Sequence, residues 1–247
     1  VELAILANSS AGQKAYEADE LDILDMTFFP PVEIDRVRRK HAGEYVSLPR
    51  FFTSYVAFCL SRTPFDDPRV RRALALATDR ERLADVTLRG YGSPAAGGFV
   101  PPRMPGHTAG IGLPYDPGRA RQFLADAGYP GGEGFPAVDL MMHSDFLSPV
   151  ASEYLEGQWQ KELGIETRSE AVEWEVFLER LQTAPPHMLI WGWVADYPDP
   201  DNFLRLGMRY VLRYTQWDNG DYKRLVEEAR RITDQDERME LYRQADK

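Results

Sequence analysis

Short apolar runs alternate with polar stretches of helical period along most of the chain. The first fifty residues read as strand, helix, strand, helix, strand, over Val1–Leu6, Ala11–Ala18, Leu21–Met26, Val32–Lys40 and Glu44–Leu48. That alternation predicts an α/β arrangement. Phe51–Leu60 is aromatic and β-prone, and predicts a strand long enough to cross from one region into another. Met188–Trp193 is a continuous apolar run, the pattern of a strand buried on both faces. Val138, Leu140 and Met142 alternate as a half-buried strand, and Ile165–Ala171 reads as another.

Helices are marked by their ends as much as by their period. Asp67-Pro68 supplies a cap and a first-turn proline, and Val70, Ala73, Leu74 and Ala77 then fall on one face. Asp79 predicts the cap of a second helix to about Leu88, stopped by Gly90. Asp116-Pro117 opens a third, with Ala120, Phe123, Leu124 and Ala127 on one side and Gly128 at its end. Val150, Ala151, Tyr154, Leu155 and Trp159 predict the inner face of a helix ending near Gly164, and Trp174–Leu181 predicts another. Tyr222, Leu225, Val226, Ala229 and Ile232 share a helical face, and a last helix starts near Asp234. Between Gly90 and Gly118 there is no period, only Gly and Pro with Phe99 and Val100 as apolar anchors, which predicts an ordered surface loop.

Composition narrows this picture in two ways. A formal charge of −10 is opposite to what a phosphate-binding surface needs, so nucleic acid is not expected as a partner. The single cysteine, Cys59, excludes an internal disulfide and any multi-cysteine metal site, and predicts a small buried apolar residue. No stretch approaches the ~20 apolar residues that span a bilayer. The chain opens at Val1 inside a strand pattern and closes at Lys247 inside a helical one, so it is expected to be a piece of a longer protein.

Enzyme signatures are missing. There is no G-x-S-x-G elbow, no phosphate-cradling G-x-x-x-x-G-K-[ST] and no G-x-G-x-x-G opening a helix. The 4 histidines (His41, His107, His143 and His187) stand far apart, and no metal or cofactor site is expected. The acidic run from Asp196 through Asp199 to Asp201 admits a glycosidase reading, but aspartates beside prolines equally form turns and cap helices. No nucleophile–base pair presents itself, so an enzyme is not expected.

Four stretches, in order, resemble the family 5 solute-binding proteins of oligopeptide, dipeptide, nickel and some oligosaccharide importers. P-F-D-D-P-R-V-R-R-A-L-A-L-A-T-D-R, from Pro64 to Arg80, is similar to the family's proline–aromatic turn and V-R-x-A-L-x-x-A-x-D-R helix. Gly92-Ser-Pro-Ala followed by Phe99-Val-Pro-Pro is the second. Tyr115-Asp-Pro leading to L-A-D-A-G-Y, Leu124 to Tyr129, is the third. W-V-A-D-Y-P-D-P, Trp193 to Pro200, followed later by Asp221-Tyr-Lys-Arg-Leu and Asp236-Glu-Arg-Met-Glu-Leu-Tyr, is the fourth. The segment from Ala15 to Ile23 also resembles the one that precedes the first signature.

The resemblance implies an α/β fold of the periplasmic-binding-protein type II class, present in part. Residues 1–53 would hold strands and helices adjoining a missing first lobe, and residues 54–247 the second lobe. It implies an extracytoplasmic component of an ABC importer, periplasmic or at the cell surface, with a lipid anchor possible in the full-length protein. Its partners would be a peptide or other small-molecule ligand and a membrane permease, and the intact protein would be monomeric. Nickel-chelate or oligosaccharide capture, and a peptide-sensing or interaction module without transport, remain open. In peptide-binding relatives the aspartate of W-x-x-D meets the ligand ammonium, which here is Asp196. Burying an ammonium is costly unless a carboxylate meets it. Trp191 and Trp193 point to one face of their strand and suit an aromatic wall, with Trp174 and Tyr197 as further candidates. Basic residues hold the peptide carboxylate in such relatives, yet Ile190 and Leu181 occupy two of those positions, with Arg180 adjacent. Arg69, Arg71 and Arg72 read as solvated or ion-paired helix residues rather than ligand contacts.

Overall fold

The structure, a computed structural model, describes residues 2–6, 8–26, 29–48, 50–144 and 149–247. Contacts divide the chain into two compact units, Val1–Leu48 and Pro49–Lys247.

The first unit contains helices α1 (Ser9–Glu17) and α2 (Pro31–Lys40). Asn8 caps α1 by accepting the Ala11 N–H at 2.9 Å. Arg36 of α2 donates to Gln13 of α1, and Tyr16 donates to Glu44, 2.8 Å away. The three strands expected at Val1–Leu6, Leu21–Met26 and Glu44–Leu48 do not form among the described residues. Apolar alternation is present, but a strand also needs a hydrogen-bonded neighbour. None is supplied within this unit, and Leu3, Ile5, Ile23, Val46 and Leu48 are left exposed.

The second unit is built on a four-stranded sheet in the order β1-β4-β2-β3. Its strands are β1 (Phe52–Phe58), β2 (Val138–His143), β3 (Thr167–Val172) and β4 (Met188–Val194). β1 runs antiparallel to β4, with Tyr55 opposite Trp191; β2 runs parallel to both β4 and β3. Side chains alternate across each strand, so one strand feeds two cores. Val56, Phe58, Leu140, Met142, Met188 and Ile190 enter a core with α3 (Pro68–Leu76), α5 (Pro117–Asp126) and α6 (Pro149–Leu163). Ala57, Met141 and Leu189 enter another with Phe177 and Leu181 of α7 (Trp174–Thr183) and Tyr214 of α8 (Met208–Thr215). This explains why Met188–Trp193 lacks any polar alternation: the strand is covered on both sides.

The helix ends follow the expected capping chemistry. Asp67, Asp79 and Asp116 each accept a backbone N–H, opening α3, α4 (Arg80–Leu88) and α5. Asp234 does the same for α10 (Gln235–Ala245), which lies against α9 (Gly220–Ala229). On α6 the inner face is Ala151, Leu155, Trp159 and Leu163; Val150, expected inside, is exposed. The loop from Gly90 to Gly118 is anchored as expected, with Val100 and Met104 buried against α9 and α10. Cys59 is buried and unbridged.

Candidate functional site

β4 carries the site to its end. Its last residues before the loop are Trp191, Gly192, Trp193 and Val194, and Ala195 is held by donating its N–H to the Phe51 carbonyl at 2.9 Å. The chain then turns through Asp196-Tyr197-Pro198-Asp199 into a π-helical turn, Asn202–Gly207, and on into α8. Such turns are rare in helices and frequent at functional sites.

Trp174, Leu178, Trp191, Trp193, Asp196 and Tyr210 line a cavity of about 470 Å³, together with Gly192 and Val194. That volume lies within the usual range for small-molecule sites. Four of the five expected residues therefore come together here: Trp174, Trp191, Trp193 and Asp196. The fifth, Tyr197, stays outside. Its hydroxyl donates to Asp201 at 3.0 Å, and burial followed by that carboxylate holds its pKa above the ordinary phenol value. Tyr197 thus serves the turn and is not placed on the cavity wall.

The rings brace one another. Trp174 meets Trp191 edge to face at 6.0 Å, and Trp191 also packs on Phe177 at 5.3 Å. Tyr210, from the first turns of α8, lies against both Trp193 (5.5 Å) and Trp191 (6.3 Å). Trp193 is fixed from below as well. Its indole N–H donates to Asn202 at 2.7 Å, and a Cβ on Gly207 would come within 2.9 Å of the indole. Glycine is needed at 207 for that close approach.

Asp196 is exposed at the lip of the cavity, and its carboxylate accepts a hydrogen bond from the Asn202 amide at 3.3 Å. Asn202, fully buried, therefore ties the indole of the wall to the carboxylate of the lip. Neither Asn202 nor Tyr210 stood out in sequence. Tyr210 follows a segment without a capping signal, and Asn202 differs from no ordinary turn asparagine.

The neighbouring aspartates are structural. Asp199 accepts a forked pair of bonds from Arg238, at 2.7 and 2.8 Å, and caps the turn through the Asp201 N–H. Asp201 is buried among Arg205, Tyr197 and Tyr242. The turn-forming reading therefore describes both, and neither carboxyl is offered to a substrate in glycosidase fashion. Ile190 and Leu181 are buried in the two cores, and Arg180 is paired with Glu170 at 2.5 Å. Arg69 pairs with Asp67, Arg71 donates to the Phe65 carbonyl, and Arg72 lies over the Phe123 ring. None of these cations lines the cavity. Among the described residues no group of three or more His, Cys, Asp or Glu side chains is arranged to hold a metal ion.

Residues 1–209 match the family described as bacterial extracellular solute-binding proteins, family 5 Middle. The chain belongs to this family. Among its family 5 relatives is di/tripeptide-binding protein 1 of Pseudomonas aeruginosa, 29% identical over 98% of this chain and 46% of that protein. Haem-binding protein A of Haemophilus influenzae is 30% identical over 90% of this chain and 42% of its own length. The crystal structure of a periplasmic oligopeptide-binding protein of Borrelia burgdorferi superposes with a TM-score of 0.81 at 25% identity, covering 98% of this chain and 48% of that one. The fold is thus part of a type II periplasmic binding protein, as the resemblance implied. The chain spans about half the length of the relatives it matches. Among the described residues no helix is long and apolar enough to cross a membrane.

Proposed function

We propose that the protein of which this chain is part captures peptides outside the cytoplasmic membrane and delivers them to an ABC permease. In this reading the unit from Pro49 onward is one lobe, and the ligand is closed between it and a second lobe. The observation that carries it is the placement of a single exposed carboxylate, Asp196, at the lip of an aromatic cavity. A peptide brings an ammonium and a side chain to adjacent positions, and this wall offers one acceptor for the first and rings for the second. The role proposed is binding, as in the relatives named as binding proteins. Relatives named for peptide binding support the same reading.

The Haemophilus relative suggests a flat apolar ligand, which the rings would also accommodate. Haem brings carboxylates, however, and the lining residues include Asp196 but no cation to meet them.

The test is Asp196→Asn in the full-length protein, titrated with a peptide bearing a free amino terminus and with its acetylated analogue. The substitution should weaken binding of the free amine by ~2–5 kcal/mol, the cost of removing one partner of a buried charge pair. Wild type should lose affinity on acetylation, and the variant much less. Equal losses in both proteins would show that Asp196 does not meet the ammonium.

A further inference from the structure

The composition of the wall is one-sided. The cavity presents three indoles, one phenol and one carboxylate, with Leu178 and Val194 as its aliphatic members and no Lys, Arg or His. Trp174 and Tyr210 are 43% and 44% exposed, so much of their ring surface is left uncovered by this chain. Trp174 stacks on Phe177 at 12° and meets Trp191 at 79°, while Tyr210 meets Trp193 at 32° and Trp191 at 57°. The ring surface these neighbours leave uncovered is available to a further ring, in the offset or edge-to-face geometry that aromatic clusters prefer. Arg180 of α7 and Arg205 of the π-helical turn are ion-paired with Glu170 and Asp201, and the exposed Arg209 and Arg213 that flank Tyr210 on α8 are not among the residues lining the cavity.

These observations carry a statement about ligand class. A carboxylate at the lip favours a cationic group there, and a ring set beside it favours an aromatic or large apolar group one residue's reach away. An acidic side chain in the same place would face Asp196 with no cation among the lining residues to offset the repulsion.

We propose that this wall selects peptides whose amino-terminal residue carries an aromatic side chain and disfavours those whose first residue is acidic, with Tyr210 as a specificity-determining residue. This rests on the peptide reading above. The side chain would enter between Trp174, Trp191 and Tyr210 while its own ammonium meets Asp196. Tyr210 matters because it belongs to α8 and touches both β4 indoles, adding a wall from a different element than Trp174 of α7.

The experiment is calorimetric titration of the full-length protein with Phe-Ala, Ala-Ala and Glu-Ala. Phe-Ala should bind roughly tenfold more tightly than Ala-Ala, the order that ring pairing adds beyond area burial. Glu-Ala should bind more weakly than Ala-Ala by a similar factor or more. Tyr210→Ala should shrink the Phe-Ala to Ala-Ala ratio, and Tyr210→Phe should retain it. Trp174→Ala gives a second reading of the same ratio should Tyr210→Ala fail to fold. Three equal affinities, or tightest binding of Glu-Ala, would overturn the selectivity while leaving peptide capture standing. Binding of none of the three would overturn both. A Tyr210→Ala protein with the wild-type ratio would remove Tyr210 from the role.

Discussion

Asn202 joins two groups that sequence alone could only set side by side. It accepts the Trp193 indole N–H at 2.7 Å and donates to Asp196 at 3.3 Å, from a position with no solvent exposure. Replacing it by leucine keeps the volume and removes both bonds. A buried indole N–H without an acceptor costs ~1–3 kcal/mol, which urea denaturation should read as lost stability. Asp196 would also lose the bond that orients it. Asn202→Leu in the full-length protein should therefore bind a free-amine peptide more weakly, and should discriminate less between that peptide and its acetylated form. A variant that is destabilised yet keeps full discrimination would assign Asn202 to packing alone. At this scale the sequence was legible where side-chain chemistry is unusual. Tryptophans two apart on an apolar strand and an aspartate just beyond it are rare enough to notice, and they do line the cavity. Tyr197 has the same chemistry but turns away to Asp201, because a loop residue's direction is set by the turn and not by spacing. Tyr210 and Asn202 are ordinary residues whose roles come only from the path of the backbone.

Elements were legible where both a period and a cap were present. Asp67, Asp79, Asp116 and Asp234 announce their helices, and the two-sided burial of β4 follows from its unbroken apolar run. The segment Asn202–Thr215 gave no such signal. Its first turn is π-helical, which breaks the 3.6-residue period, and Asp201 makes no side-chain capping bond to it. The end of α10 shows another device. Asp246 follows the helix and accepts the N–H groups of Phe99 at 2.7 Å and Val100 at 3.2 Å, pinning the long loop. Burial pushes the Asp246 carboxyl above the ordinary range, and the N–H bonds and His107 only partly offset it. The folded state therefore holds this proton more firmly than the unfolded chain. Its stabilising contribution is present below the unfolded pKa and is lost as pH rises through the folded one. Asp201 has the opposite sign. Burial pushes it up, but Arg205 and the Tyr197 and Tyr242 hydroxyls outweigh this and hold it low, so its contribution is lost as pH falls through the folded pKa. Asp246→Asn carries no titrating proton and should show this contrast. The urea midpoint of the variant minus that of wild type should be larger at pH 7 than near pH 3.5. A difference that does not vary with pH would mean that Asp246 is not strained by its charge.

At the scale of the whole molecule, the two units differ in how far each is satisfied within this chain. The unit from Pro49 onward has a sheet covered on both faces and three buried apolar clusters. The described residues of the unit to Leu48 form α1 and α2 and leave Leu3, Ile5, Ile23, Val46 and Leu48 exposed, and among them the strand-like patterning joins no ladder. The relatives it matches are about twice as long. The cavity has a wall and a lip, but Asp196 remains in water. A carboxylate–ammonium pair left exposed contributes ~0–1 kcal/mol, and the same pair once buried contributes several times more. In the proposed reading, affinity depends on what closes over Asp196, and the 247 residues alone should fold yet bind peptide poorly. Urea denaturation of the isolated chain should show a cooperative transition, reporting the packed unit. Calorimetry with Phe-Ala should show no saturable binding below about 1 mM, a level reached by only ~4 kcal/mol of binding energy. The full-length protein under the same conditions should bind far more tightly. Micromolar binding by the isolated chain would show that this wall desolvates its ligand unaided, and that closure between lobes is not the source of affinity.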